Sequence, residues 1–182
     1  MNGTFVGALR TCARIKITNP NPEWVVETMP LARVMSDMTK GVATHGLSPP
    51  LDMTLLPNGE VLIINGGAAG TAGWEIGRKP ILNPVLHRPE NVIGSRFKVQ
   101  NPSTVPRMYH SRALLLRDSR VLVGGSNPHK YYRFINVLYL TELSLEAFHP
   151  SYLDAKYTYL RPTIIGLGSQ LSYTRVWRKD SN

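Results

Sequence analysis

The amino-acid sequence predicts an all-β fold, and three observations carry that expectation. The 15 glycines and 14 prolines interrupt 182 residues at short intervals, which suits short strands joined by turns. Apolar residues come in brief runs of strand length, such as Val61 to Ile64 and Val121 to Val123, bounded by turn-forming residues. One pattern occurs twice: an arginine, an apolar strand, a tight turn, a second apolar strand and a glycine pair.

In chain order, "ARIKITNPNPEWVVETMP" sets Ile15 and Ile17 against polar neighbours, turns on Asn19, Pro20, Asn21 and Pro22, and resumes at Trp24, Val25 and Val26. That reads as a hairpin. "LLPNGEVLIINGG" reads as a second one: Pro57-Asn58-Gly59 suits a turn with positive φ, and the strand through Val61 to Ile64 ends at Gly66 and Gly67. "ALLLRDSRVLVGG" repeats it, with Asp118-Ser119 at the turn and Gly124-Gly125 closing the strand. Arg33 precedes the first copy and Arg107 the second. Ser119 stands where a glycine is usual, so it is strained if the turn demands positive φ. The glycine pairs are expected to let backbones approach closely, and Trp24 to fill space between adjacent sheets. An ordinary β-sandwich with coincidental turns is the alternative.

One stretch breaks the pattern. "TKGVATHGLSPPLDM", residues 39–53, is bracketed by Asp-Met-Thr at 37–39 and again at 52–54. Its Gly, Ser and paired Pro make a poor strand, so it is read as an inserted loop or an artefact of the gene model, with His45 a surface residue.

Composition excludes several functions. The formal net charge is +9, yet basic residues are scattered singly apart from Arg175, Arg178 and Lys179, so no directed basic face for nucleic acid is expected. Cys12 is the single cysteine, which rules out an intrachain disulfide and multi-cysteine zinc sites. "MNGTFVGALRTCARIK" lacks a secretory signal pattern, and no apolar stretch approaches the roughly 18 residues of a membrane span.

The repeated arginine, hairpin and glycine-pair frame resembles the kelch repeat of β-propellers, in which each four-stranded blade is one unit. "NPEWVVETMPLARVMSDM", "LLPNGEVLIINGG", "GTAGWEIGR", "GSRFKVQNPSTVPRMYHSRALLLRDSRVLVGGSNPH" and "LSLEAFHPSYL" together resemble plant glyoxal oxidase and galactose-oxidase-like proteins. These are copper radical oxidases on a kelch propeller. The resemblance runs collinearly from about Gly3 to about Ile165. It implies a partial propeller over residues 1–150, the last two to three blades, then a truncated start of an immunoglobulin-like C-terminal domain over residues 151–182. Blades are expected from Val34 to about Val99 and from Tyr109 to about Phe148, with the first hairpin the outer half of another. An arc of this length cannot close, which predicts self-association through open edges.

The resemblance also implies a copper site whose axial tyrosine and one equatorial histidine come from an Arg-x-Tyr-His-Ser motif, here Arg107 to Ser111. Tyr109 and His110 are therefore the expected metal ligands, and Tyr109 the catalytic residue, since tyrosinate can act as base. Seen alone, the Tyr-His pair would read as ordinary packing; its matching context favours ligands. Trp74 is a weak candidate for lining a substrate site. Loop packing is the expectation for His87, His129 and His149, with His129 also considered at a channel mouth.

Other parts of the family's machinery find no match. Cys12 does not match the family's crosslink cysteine, and no tyrosine precedes Tyr109, so the Cys-Tyr radical cofactor is expected to be absent. The second equatorial histidine is absent as well, for the chain leaves the family's pattern after "RPTII" at Arg161 to Ile165. The resemblance thus implies a fragment of an enzyme that oxidises small aldehydes of the glyoxal or methylglyoxal type, or primary alcohols, with O2 to give H2O2. The isolated chain is expected to be inactive. The family is secreted to the cell wall, although this start carries no signal. The alternative is a non-catalytic kelch-type binding or structural fragment.

Overall fold

The computed structural model describes residues 5–33, 53–70 and 74–160. The expected inserted loop, apart from Met53, and the expected immunoglobulin-like start at Arg161 lie outside the described residues. Two compact units are present, Met1–Pro150 and Ser151–Asn182. The fold is all-β, as the punctuation of the sequence predicts: the first unit holds eleven strands and no α-helix among its described residues. None of the described helices is long and apolar enough to cross a membrane.

β1 (Thr11–Ile15) and β2 (Trp24–Thr28) form the first hairpin, antiparallel with Ala13 opposite Val26. Ile17 falls in the connection and is exposed. Trp24 corrects the sequence expectation: it is 66% exposed and fills no gap between sheets among the described residues. What buries the hairpin is its other face. Met29 packs with Ile63 and Val85, flanked by Cys12, Leu31 and Phe97. Beside them Arg96 Nη1 donates to Glu27 Oε1 at 2.6 Å in a buried ion pair.

β3 (Met53–Leu55), β4 (Val61–Ile63), β7 (Val85–His87) and β8 (Phe97–Val99) make a four-stranded antiparallel sheet in that order. The central strands β4 and β7 carry continuous apolar runs, and Leu62, Ile63 and Leu86 are buried to within about a percent. Between them the chain detours through β5 (Gly67–Ala69) and β6 (Arg78–Pro80), a separate two-stranded pair. β9 (Arg112–Leu115), β10 (Val121–Gly124) and β11 (Leu145–Phe148) form a three-stranded antiparallel sheet, again with the middle strand most buried.

The two sheets repeat each other bond for bond at their turns. Leu56 N–H donates to Glu60 O and Gly59 N–H to Leu56 O; Leu116 N–H donates to Arg120 O and Ser119 N–H to Leu116 O. Side chains Asn58 and Asp118 accept from the amides of Glu60 and Arg120. Gly59 has φ 82° and Ser119 φ 68°, so the serine does occupy the left-handed region. At the strand ends the structural equivalence is offset from the glycine pairs: Asn65 (φ 60°) corresponds to Gly125 (φ 70°). Arg33 donates to the Asn65 carbonyl, and Arg107 to the Gly125 carbonyl.

The second unit begins with two 3-10 turns, Ser151–Leu153 and Ala155–Leu160, with no buried residue in either. Asp154 N–H donates to Ser151 O and Tyr157 N–H to Asp154 O.

Candidate functional site

Tyr109 and His110 lie in a turn just before β9, not within a strand. A regular strand would point adjacent side chains to opposite faces. Here His110 takes φ 58°, which breaks that alternation, and the two rings stand side by side with centroids 4.0 Å apart, tilted by 38°. Tyr109 is half-buried and His110 exposed.

Two backbone and two hydroxyl hydrogen bonds hold the turn. Gly66 N–H donates to Arg107 O at 2.9 Å and Asn127 N–H to Tyr109 O at 2.7 Å. Met108 N–H donates to Ser126 Oγ at 3.0 Å, and Ser111 Oγ donates to Met108 O at 2.9 Å. Gly125 matters by what it lacks: a Cβ there would stand 3.0 Å from His110 O, at a φ that disfavours side chains. Beneath the turn, Arg107 is 1% exposed and donates three bonds: Nε to Glu146 Oε1 at 2.9 Å, Nη1 to Gly125 O at 2.9 Å and Nη2 to Ser144 Oγ at 3.0 Å.

Trp74 is 51% exposed. Its own turn reaches the site: Gly77, three residues on, faces Met108, with 3.5 Å from a built Cβ to the Met108 sulfur. His129 is 2% exposed and packs a loop, its Nδ1 2.6 Å from Glu75 Oε1 and its Nε2 2.5 Å from Tyr139 O. His149 is exposed. His87 ends β7, stacked on Phe97 at 4.9 Å, and burial pushes its imidazole below the usual range, with Glu27 opposing and Arg14 and Arg96 adding to the shift. Cys12 sits half-buried on β1, its thiol pushed up first by burial and then by Glu27.

A phenol oxygen and an imidazole nitrogen on one turn suit a cation that accepts mixed nitrogen and oxygen donors, and copper(II) is of that kind. Among the described residues, however, no group of three or more His, Cys, Asp or Glu could hold a metal ion. Tyr109 and His110 would suit copper as two members of a donor set and do not complete one. The structure therefore brings together Tyr109 and His110, sets Gly77 of the Trp74 turn against Met108, and gathers no cluster of further His, Cys, Asp or Glu ligands among the described residues.

The sequence reading missed Glu75, Ser126 and Asn127. Their partners stand far along the chain, and no local spacing signals them.

Comparison with known proteins gives a family model described as Glyoxal oxidase N-terminus, matching residues 1–44 and 50–152. The internal stretch left unmatched, 45–49, lies in the segment expected to be inserted, and residues 153–182 lie beyond the match. The chain is 44% identical over 172 residues to Aldehyde oxidase GLOX1 of Arabidopsis thaliana, covering 93% of this chain and 25% of that protein. It is 46% identical over 154 residues to Aldehyde oxidase GLOX of Vitis pseudoreticulata, covering 85% and 26%. A Galactose oxidase of Gibberella zeae is 37% identical over 71 residues, 39% of this chain and 10% of that one. The chain thus spans about a quarter of the length of the aldehyde oxidases it matches.

Proposed function

Because the chain belongs to the glyoxal oxidase family through that family's N-terminal region, we propose that it is a portion of a copper radical oxidase and carries two of the copper ligands, Tyr109 and His110. The whole enzyme would oxidise a small aldehyde, as its hydrate, to the acid, or a primary alcohol to the aldehyde. Two electrons and two protons pass to O2 and give H2O2. The observation that carries the reading is the ring contact of Tyr109 with His110 on a turn fixed by four backbone and hydroxyl bonds. Without the fixed turn, two adjacent side chains would not be aimed together.

In this reading the sheet of β3, β4, β7 and β8 and the sheet of β9 to β11 are consecutive blades of a kelch propeller. Their matching turns and arginine-to-carbonyl bonds support that assignment. Residues 151–182 would begin the C-terminal domain. Trp74 would border the substrate, and the protein would act outside the cell. The outer edge of β11, which pairs only with β10 among the described residues, would invite self-association.

The absence of a third donor among the described residues favours a second reading, a kelch-type scaffold without redox chemistry. Copper titration followed by electron paramagnetic resonance separates the two. The ligand reading expects a copper(II) signal with nitrogen coupling that disappears in His110→Ala, and no peroxide from methylglyoxal. Wild-type protein giving the same spectrum as His110→Ala leaves the scaffold reading standing, while peroxide release would overturn the proposed inactivity.

A further inference from the structure

His129 has no part in the ligand set, yet its surroundings tie it to the site. Its ring bridges two loops, Nδ1 to Glu75 Oε1 at 2.6 Å and Nε2 to Tyr139 O at 2.5 Å, and it is almost wholly buried. Glu75 sits at φ 64° and donates its own N–H to Pro128 O at 2.7 Å, so the turn after Trp74 is fastened to the 127–129 loop by both backbone and side chain. On the other side of His129, Asn127 Oδ1 accepts Thr141 Oγ1 at 2.9 Å and the His129 N–H at 3.4 Å. The Asn127 N–H in turn holds Tyr109 O at 2.7 Å. A continuous chain of bonds therefore runs from Glu75 through His129 and Asn127 to the carbonyl of the tyrosine.

A left-handed residue costs roughly 1 kcal/mol or more and persists when its surroundings hold it. Glu75 and His110 are both of that kind, and both border this chain of bonds. Loop packing alone would be served by an apolar side chain at 129. A charged acceptor at one ring nitrogen and a carbonyl at the other instead fix the ring's rotation and the spacing of the two loops.

We infer that His129, with Glu75, is a positioning residue for the Tyr109–His110 turn, setting the angle at which those two rings present themselves and holding the Trp74 turn beside them. The functional meaning of that role rests on the proposed ligand reading. The geometric role does not.

The test uses the full chain without metal, with histidine rings labelled for nuclear magnetic resonance. The Tyr109 ring shifts the His110 ring protons through its ring current, so those signals report the angle between the rings. Glu75→Ala and His129→Ala are each expected to move the His110 signals toward those of an isolated imidazole, and the double variant to move them no further, because the pair acts as one unit. Glu75→Gln, which keeps an acceptor, should restore most of the wild-type position. His110 signals unchanged in a folded Glu75→Ala protein overturn the inference. Should His129→Ala fail to fold, Glu75→Ala decides, since the Glu75 side chain is 61% exposed and its removal opens no core. Copper titration of the wild type is read separately: failure to bind copper removes the ligand reading and leaves the resonance result to judge the positioning role.

Discussion

Replacing Arg107 by alanine should destabilise the first unit by about 3 kcal/mol, and the structure supplies the reasons. The guanidinium is buried and makes three bonds, two of them to the Gly125 carbonyl and the Ser144 hydroxyl. Ser144 is exposed and regains water, so the main loss is at the half-buried Gly125 carbonyl, where an acceptor left without a donor costs about 1–3 kcal/mol. Glu146 adds little to the loss, because its side chain is 34% exposed, regains water and keeps its bond from Ser103 Oγ. The void left by the side chain adds a packing penalty. For a domain of this size, about 3 kcal/mol lowers the melting temperature by roughly 6–12 °C. Arg107→Lys keeps the charge but loses the planar fork, and should fall between the wild type and alanine. Urea unfolding followed by tryptophan fluorescence measures both. Hydrogen exchange should show the Gly66 and Asn127 amides, which hold the turn above Arg107, exchanging faster in the variants. An alanine variant within about 1 kcal/mol of wild type would refute the reasoning, since it would mean the buried fork exerts no net hold.

Three further outcomes follow from the same geometry. Ser119→Gly should raise stability by about 1 kcal/mol, because φ 68° strains a serine and not a glycine; thermal unfolding that is unchanged or lowered would show the turn is unstrained. His87 is held neutral by burial, so as pH falls through the ordinary imidazole range the unfolded chain takes up a proton that the folded chain refuses, and stability drops. His87→Gln should flatten that part of the pH-stability curve, and an identical slope in both proteins would assign the acid sensitivity elsewhere. Gly125→Ala should lower the melting temperature and perturb copper coupling together, because its Cβ meets His110 O at 3.0 Å; loss of stability with an unaltered copper spectrum would separate that glycine from the site.

Much of the fold is legible because its signals are local. Pro57-Asn58-Gly59 and Asp118-Ser119 mark turns by their own chemistry, and the apolar runs beside them become the buried strands β4 and β10. What escaped depends on distant partners. Trp24 reads as filler, yet the hairpin buries Met29 and Glu27 instead, a choice settled by Ile63, Val85 and Arg96 far along the chain. The glycine pairs look equivalent in sequence, but the arginine selects the carbonyl of Asn65 in one copy and of Gly125 in the other, which shifts the match by two residues. The Tyr-His pair was legible as a pair. Its convergence depends on φ at His110, which no composition or periodicity specifies.

The repeat itself separates scaffold from chemistry. Arg33 and Arg107 each tie a strand-end carbonyl into place, and Arg33 also reaches Asn83 O at 2.7 Å. A device used in both copies serves the architecture they share. After Arg107 come Met108, Tyr109 and His110; after Arg33 come Val34, Met35 and Ser36, which offer no phenol or imidazole. Only the second copy carries a phenol and an imidazole here, so this pair cannot be what the repeat needs to fold. The two kinds of residue must then respond differently to substitution. Arg33→Ala and Arg107→Ala should each cost stability, whereas Tyr109→Phe and His110→Ala should change copper coupling and leave the unfolding midpoint close to wild type. If His110→Ala unfolds as readily as Arg107→Ala, the imidazole belongs to the scaffold, and the case for a ligand on this turn fails with it.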